Sequence, residues 1–149
     1  MSVDLFAHFS NAQVPKFYSF GNSPHTAGVD AFAQDWSNEA AWCCPPVGLV
    51  IPALRKIEAS VMQAILIVPA WKSASFWALV FPDGVHATDL CVSISAFRTC
   101  IVGGTYCSNF LMQGHTAFPF LALYLRSAGH GFTGRSGSVR CPDVPYVRR

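Results

Sequence analysis

The chain has 149 residues, about one domain, and a domain of that size can bury roughly 68–70% of its unfolded surface. Hydrophobic residues make up 52% and charged residues only 12%, against about 25% charged in an ordinary soluble domain. Such a surface fits a domain covered by a partner, a piece of a larger protein, or a pseudogene drifting without selection. The formal net charge of +2 is too small to argue for nucleic acid by itself. No apolar run reaches the roughly 18 residues of a membrane span. No basic segment followed by an apolar stretch opens the chain. No membrane contact and an intracellular place, cytoplasmic or nuclear, are therefore expected.

Residues 3–7, Val-Asp-Leu-Phe-Ala, read as a short strand. After a polar stretch and Pro15, residues 16–20 read as a second. Residues 21–28 are a loop by their Gly, Asn, Ser and Pro content. Residues 29–36 are compact and mixed. Pro45 and Pro46 force extended backbone at Cys44 and block a helix there. Residues 49–61 read as a helix, with Pro52 tolerable in its first turn. Its apolar stripe is Val50, Leu54, Ile57 and Val61, while Arg55, Lys56 and Glu58 fall largely outside it. Residues 64–68 are continuously apolar and rich in β-branched side chains, which fits a central strand covered on both faces. Helix followed by strand, after an earlier strand, is the rhythm of an α/β sheet.

Residues 73–80 can form a short helix capped by Ser73 or Ser75. A turn at residues 82–84 follows, then strands at 91–95 and 118–125. Residues 84–116 carry no readable mechanism. From Arg126 onward five arginines face one acid, Asp143. That Gly/Ser-rich stretch reads as a disordered, solvated tail, residues 127–149, with a phosphate-contacting arm as the lesser alternative.

The six cysteines form no CxxC pair, and no histidine follows at zinc-finger spacing, so reduced thiols and no metal site are expected. His8, His25, His86, His115 and His130 pair with no acid or cysteine at a telling spacing. Asp4, Asp30 and Asp35 read first as strand-end, turn or cap carboxylates. The four tryptophans, Trp36, Trp42, Trp71 and Trp77, read as core aromatics before a base-stacking platform.

The order of short blocks matters more than any one of them. Asp4-Leu5-Phe6-Ala7 precedes Asn11-Ala12 and Pro15 with its following aromatics. Asp30-Ala31-Phe32 and Asp35-Trp36 lead to Pro45-Pro46, then the amphipathic helix, the apolar strand, Pro69-Ala70-Trp71 and Phe76-Trp77. This series resembles the segment that follows reverse transcriptase and RNase H in DIRS-type, tyrosine-recombinase retrotransposon polyproteins. That segment is in turn similar to phage Dam-like DNA adenine-N6 methyltransferases. The likeness covers residues 2–81, with Phe118 and Pro119 opening a stretch similar to the closing strand.

The resemblance implies an α/β, Rossmann-like methyltransferase-type three-layer sandwich over residues 1–126, with a mainly parallel sheet and room for the domain to be incomplete. It implies an S-adenosylmethionine site at the sheet's carboxyl edge, with Asp4 and Asp30 toward it, whose binding is expected to have been lost here. Element nucleic acid and the neighbouring polymerase and RNase H domains are the implied partners.

Adenine N6 methylation needs a flipped base held by stacking and acceptors that orient the attacking amine. The family's tetrapeptide supplies an Asp or Asn oxygen, a proline carbonyl and an aromatic ring. The matching residues here are Cys44, Pro45, Pro46 and Val47. A thiol accepts poorly, and valine has no π-face. Losing one preorganised polar partner raises a barrier by about 2.7–4 kcal/mol, by analogy with oxyanion holes. Trp42, two residues before Cys44, is expected not to replace the lost ring. The expectation is a domain that has lost catalysis and serves, if at all, as a scaffold or nucleic-acid-proximal module. An active adenine methyltransferase with a divergent site and a non-enzymatic module docked on the polymerase or RNase H are the alternatives. Part of an RNase H domain is a poor fit, since two-metal chemistry needs a set of carboxylates that eight acids in this arrangement do not offer. The sparse charge, the tail and the first block lying against Met1 suggest a gene trimmed from a longer frame.

Overall fold

The computed structural model describes residues 1–60, 62–102, 105–107, 118–127 and 139–143, the side chains of 98–102, 105–107 and 118 excepted. The strands are β1 (Val3–Asp4), β2 (Tyr18–Ser19), β3 (Gly28–Val29), β4 (Ala40–Cys43), β5 (Gln63–Pro69), β6 (Cys91–Val102), β7 (Thr105–Cys107) and β8 (Phe118–Arg126). The helices are α1 (Val50–Ala59) and α2 (Trp77–Val80). None of the described helices is long and apolar enough to cross a membrane.

One sheet runs in the order β1-β4-β5-β8-β6-β7. β1, β4 and β5 are parallel, β8 runs against both β5 and β6, and β7 runs against β6. Four of the six strands therefore point the same way, although only two of the five pairings are parallel. The pair β2–β3, itself parallel, joins the free edge of β1 through a parallel bridge between Asp4 and Phe17. The Asp4 amide donates to the Lys16 carbonyl and the Ala7 amide to the Tyr18 carbonyl. The succession across the molecule is thus β3-β2-β1-β4-β5-β8-β6-β7.

Side chains alternate across a sheet with period two, and the register sorts this one cleanly. Val3, Ala41, Ala64 and Leu125 share one face, as do Cys43, Leu66 and Leu123, then Val68 and Leu121. All are buried in a single cluster that also takes Val50, Ala53, Leu54 and Ile57 of α1 and Trp77 and Val80 of α2. The stripe expected of the first helix is the face it buries. Val61 lies outside the described residues, and the helix is entered through a 3₁₀ turn, Val47–Leu49. The opposite face carries Trp42, Ile65 and Tyr124 in one row, each half-buried.

Of the expected three-layer sandwich, the structure shows the α/β part, a mixed sheet with helices packed on it. Both described helices contribute to the same cluster, so the central strand has one covered face and one partly open face rather than two covered ones. An α/β domain built on a mixed sheet is what the chain forms.

Three local expectations also change. α2 has Phe76 at its N-cap position and no side-chain cap, so neither Ser73 nor Ser75 starts it. His86 does find an acid: its Nδ1 lies 2.8 Å from Oδ2 of Asp83 in an exposed turn. Asp83 also accepts from the Val85 and His86 amides, which holds its carboxyl below the usual range. Within the stretch read as tail, residues 139–143 are docked on that turn. The Ala87 amide donates to the Val139 carbonyl and the Cys141 amide to the Val85 carbonyl. Ser127 is buried and receives the Met62 amide on its hydroxyl at 2.8 Å.

Candidate functional site

The carboxyl ends of β1, β2, β4 and β5 open into one cavity of about 920 Å³. Its floor holds Asp4 of β1, Trp42 at the register position beside it, and Ile67 of β5. Beyond β4 it takes Cys44 and Pro46. Period two puts Trp42 and Cys44 on the same side of an extended chain, and Pro45 and Pro46 keep that chain extended past the strand. The loops leaving β1 and β2 form the walls, and Ala122 of β8 with Phe97 of β6 close the far end.

Asp4 is buried, only 2% exposed. Its Oδ2 accepts from the Gln13 amide at 2.9 Å and its Oδ1 from the Phe6 amide at 3.3 Å. Those bonds fold the loop after β1 back over the strand tip, so Asp4 both braces the wall and lines the floor. Burial raises its pKa above the ordinary carboxylate value, and the two amide bonds oppose that rise. Among the described residues no lysine or arginine lines the cavity. His8 stands in the same wall, with Nδ1 2.8 Å from the Ser10 hydroxyl, and its amide donates to Oδ1 of Asn11.

The cavity is aromatic. Phe6 and Trp42 line it, and so do three of the six most exposed large apolar side chains described: Phe9 at 60%, Phe20 at 66% and Phe97 at 38%. Phe20 tilts against Phe6 at 6.3 Å between centroids, and Phe97 stacks on Phe120 at 5.8 Å. Exposed rings gathered around a concavity, rather than scattered, mark a place where something binds.

The residues expected at the site divide. Asp4, Cys44 and Pro46 meet in the cavity. Pro45 and Val47 are not among its lining residues; Val47 packs against the core cluster instead. Burial, with the Asp4 charge adding to it, pushes the Cys44 thiol far above its usual range, so it is neutral at any physiological pH. Asp30 is not among the lining residues. It sits at φ 62° and caps the 3₁₀ turn Ala31–Ala33 by accepting the Phe32 amide at 3.0 Å. Asp35 closes a turn by accepting the Ser37 amide. Trp36, Trp71 and Trp77 are not lining residues, Trp36 and Trp77 being core members as expected; Trp42 departs from expectation by facing the cavity.

Sequence reasoning missed Phe9, Phe20 and Phe97. The strand Ala40–Cys43 was the detectable signal for Trp42, since an extended chain ending in Cys44-Pro45-Pro46 carries the period-two rule with it. No such signal exists for Phe97, which reaches the cavity through the pairing of β6 with β8.

The fold and the cavity define the class: an α/β protein with an aromatic-walled cleft at the carboxyl tips of parallel strands. No protein-family model matches the chain, and no curated protein matches it.

Proposed function

We propose that the chain is a retrotransposon-derived, methyltransferase-like domain that retains the family's cleft without its methyl-transfer chemistry. The observation that carries this reading is the meeting of Asp4 with Cys44 and Pro46 in one cavity between two adjacent parallel strands. The succession β3-β2-β1-β4-β5, in which the separate β2–β3 pair meets β1 by one bridge, supports the reading, since a Rossmann-like sheet runs in that order and reverses between its first and fourth strands. Ligands of such sheets bind outside the carboxyl ends at that reversal. The single strand β8, reversed between β5 and β6, is compatible with a largely parallel sheet that carries antiparallel strands toward one side.

For S-adenosylmethionine the fit is partial. Asp4 stands at the strand tip, while Asp30 is committed to a cap. For methyl transfer the residues do not fit. The neutral Cys44 thiol is a weak acceptor where the family has an amide or carboxylate oxygen. Val47 packs against the core instead. No catalytic step therefore follows from this set. A role as a scaffold, or as a module held near the element's nucleic acid and its polymerase and RNase H neighbours, is what remains.

The test uses the full chain with labelled S-adenosylmethionine and adenine-containing duplex DNA. No N6-methyladenine above background is expected, and stoichiometric cofactor binding with methyl transfer would overturn the reading. The double variant Cys44→Asn, Val47→Tyr is expected to gain cofactor binding by calorimetry. If it folds and gains none, descent from such an enzyme loses its support.

A further inference from the structure

The electrostatics of the cleft define a ligand class that the methyl-transfer reading does not supply. Among the described lining residues Asp4 is the one acidic side chain, no lysine or arginine joins it, and it is buried at the floor. Both its partners are neutral amides. Above it stand five rings, Phe6, Phe9, Phe20, Trp42 and Phe97, three of them exposed at an unfavourable contact with water. A ring face is negative and its edge positive, so ring faces turned toward a carboxylate would favour a cation between them. Among the described residues phosphate finds no guanidinium or ammonium there. A compact, strongly hydrated ammonium would reach polar side chains in the loop walls, Ser10, Asn11, Asn22 and Ser23 among them, but would give up hydration against the rings. A methylated ammonium is weakly hydrated, and its charge is spread over methyl surface that packs against rings.

We propose that the cleft binds a quaternary ammonium ligand with an aromatic or apolar body, its methylated cation held over Trp42 and the Phe rings toward Asp4. The proposal stands on the cleft alone and needs no methyltransferase ancestry.

Three probes that share one ring test it by calorimetry on the full chain: benzyltrimethylammonium, benzyl alcohol and phenyl phosphate. The cation is expected to bind about tenfold tighter than the alcohol, and the phosphate to show no binding. The double variant Phe20→Ala, Phe97→Ala changes only exposed rings and is expected to keep the fold while losing most of the cation's advantage. Asp4→Asn is expected to narrow the gap between cation and alcohol without removing the alcohol's binding. Equal or tighter binding of the alcohol or the phosphate overturns the proposal. So does an absence of binding by all three probes, or a cation affinity unchanged in the double variant. None of these results bears on whether the chain transfers methyl groups, so the two readings fail separately.

Discussion

The two faces of the sheet have divided the work. On one, Val3, Ala41, Cys43, Ala64, Leu66, Val68, Leu121, Leu123 and Leu125 are sealed beneath α1 and α2. On the other, Trp42, Ile65 and Tyr124 stay half-open, and the cleft runs from the tip of β1 to Phe97. Adjacent residues of one strand, Leu66 and Ile67, thus belong to different economies. The first is held by packing on every side; the second is floor to a cavity. The lesson is that the low charge of this chain has two origins, a compact apolar core and an exposed apolar site, and composition alone merges them.

The sharpest way to break the comparison is at Leu66, fully buried at the centre of the sealed face. Leu66→Ala is expected to cost about 2–5 kcal/mol in urea unfolding, and a cost below that range would mean that the sealed face is looser than its burial indicates. Lys56→Met comes next. Lys56 donates to the Phe32 and Gln34 carbonyls at 2.6 and 2.7 Å and lies 4.8 Å from the Trp36 ring centroid. Those bonds tie residues 32–36 to α1, and losing them is expected to cost about 1.5–3 kcal/mol, read in the same unfolding curves.

A smaller effect is expected at Asp4, and its sign is set by burial. The folded pKa is raised, so the folded state holds the proton more tightly than the unfolded one. The resulting stability is present below the unfolded value near 3.8 and is lost as pH rises through the folded pKa. Unfolding curves from pH 4 to 7 should therefore show Asp4→Asn gaining on the parent as pH rises; a constant difference would refute the assignment. The least effect is expected on the open face: Phe20→Ser should change stability by no more than about 0.5 kcal/mol, since its ring is mostly in water. A loss like that at Leu66 would place Phe20 in the core and remove it from the cleft.

Much of the sealed face was legible in the sequence. The unbroken apolar run of residues 64–68 became part of β5, and the 4, 3 spacing of Val50, Leu54 and Ile57 became the buried face of α1, because burial selects apolar residues at the period of the element. Residues 118–125 were legible for the same reason. β6 was seen only at its start, since Ser93 and Ser95 alternate with half-buried neighbours and dilute the pattern. The cleft was half legible. Asp4 and Cys44 could be brought together through the family resemblance, but Asp30 could not be removed from the set, because a cap and a ligand-binding acid look alike in sequence. Phe9 and Phe20 sit in loops, where no period marks which way a side chain turns. The place of Phe9 follows from Asp4 drawing in the Phe6 and Gln13 amides, a three-dimensional event.

The docking of residues 139–143 on the turn at 85–87 makes the last described segment a stitch rather than a fringe. Val139 and Cys141 press on the same core that the helices seal, and their backbone takes up groups of Val85 and Ala87. A protein shortened to end at Ser127 would leave that seam open: the Ala87 amide and the Val85 carbonyl would turn to water, and a flank of the core would lose its cover. Trimming for convenience would thus unpick the molecule from behind, at a distance from the cleft.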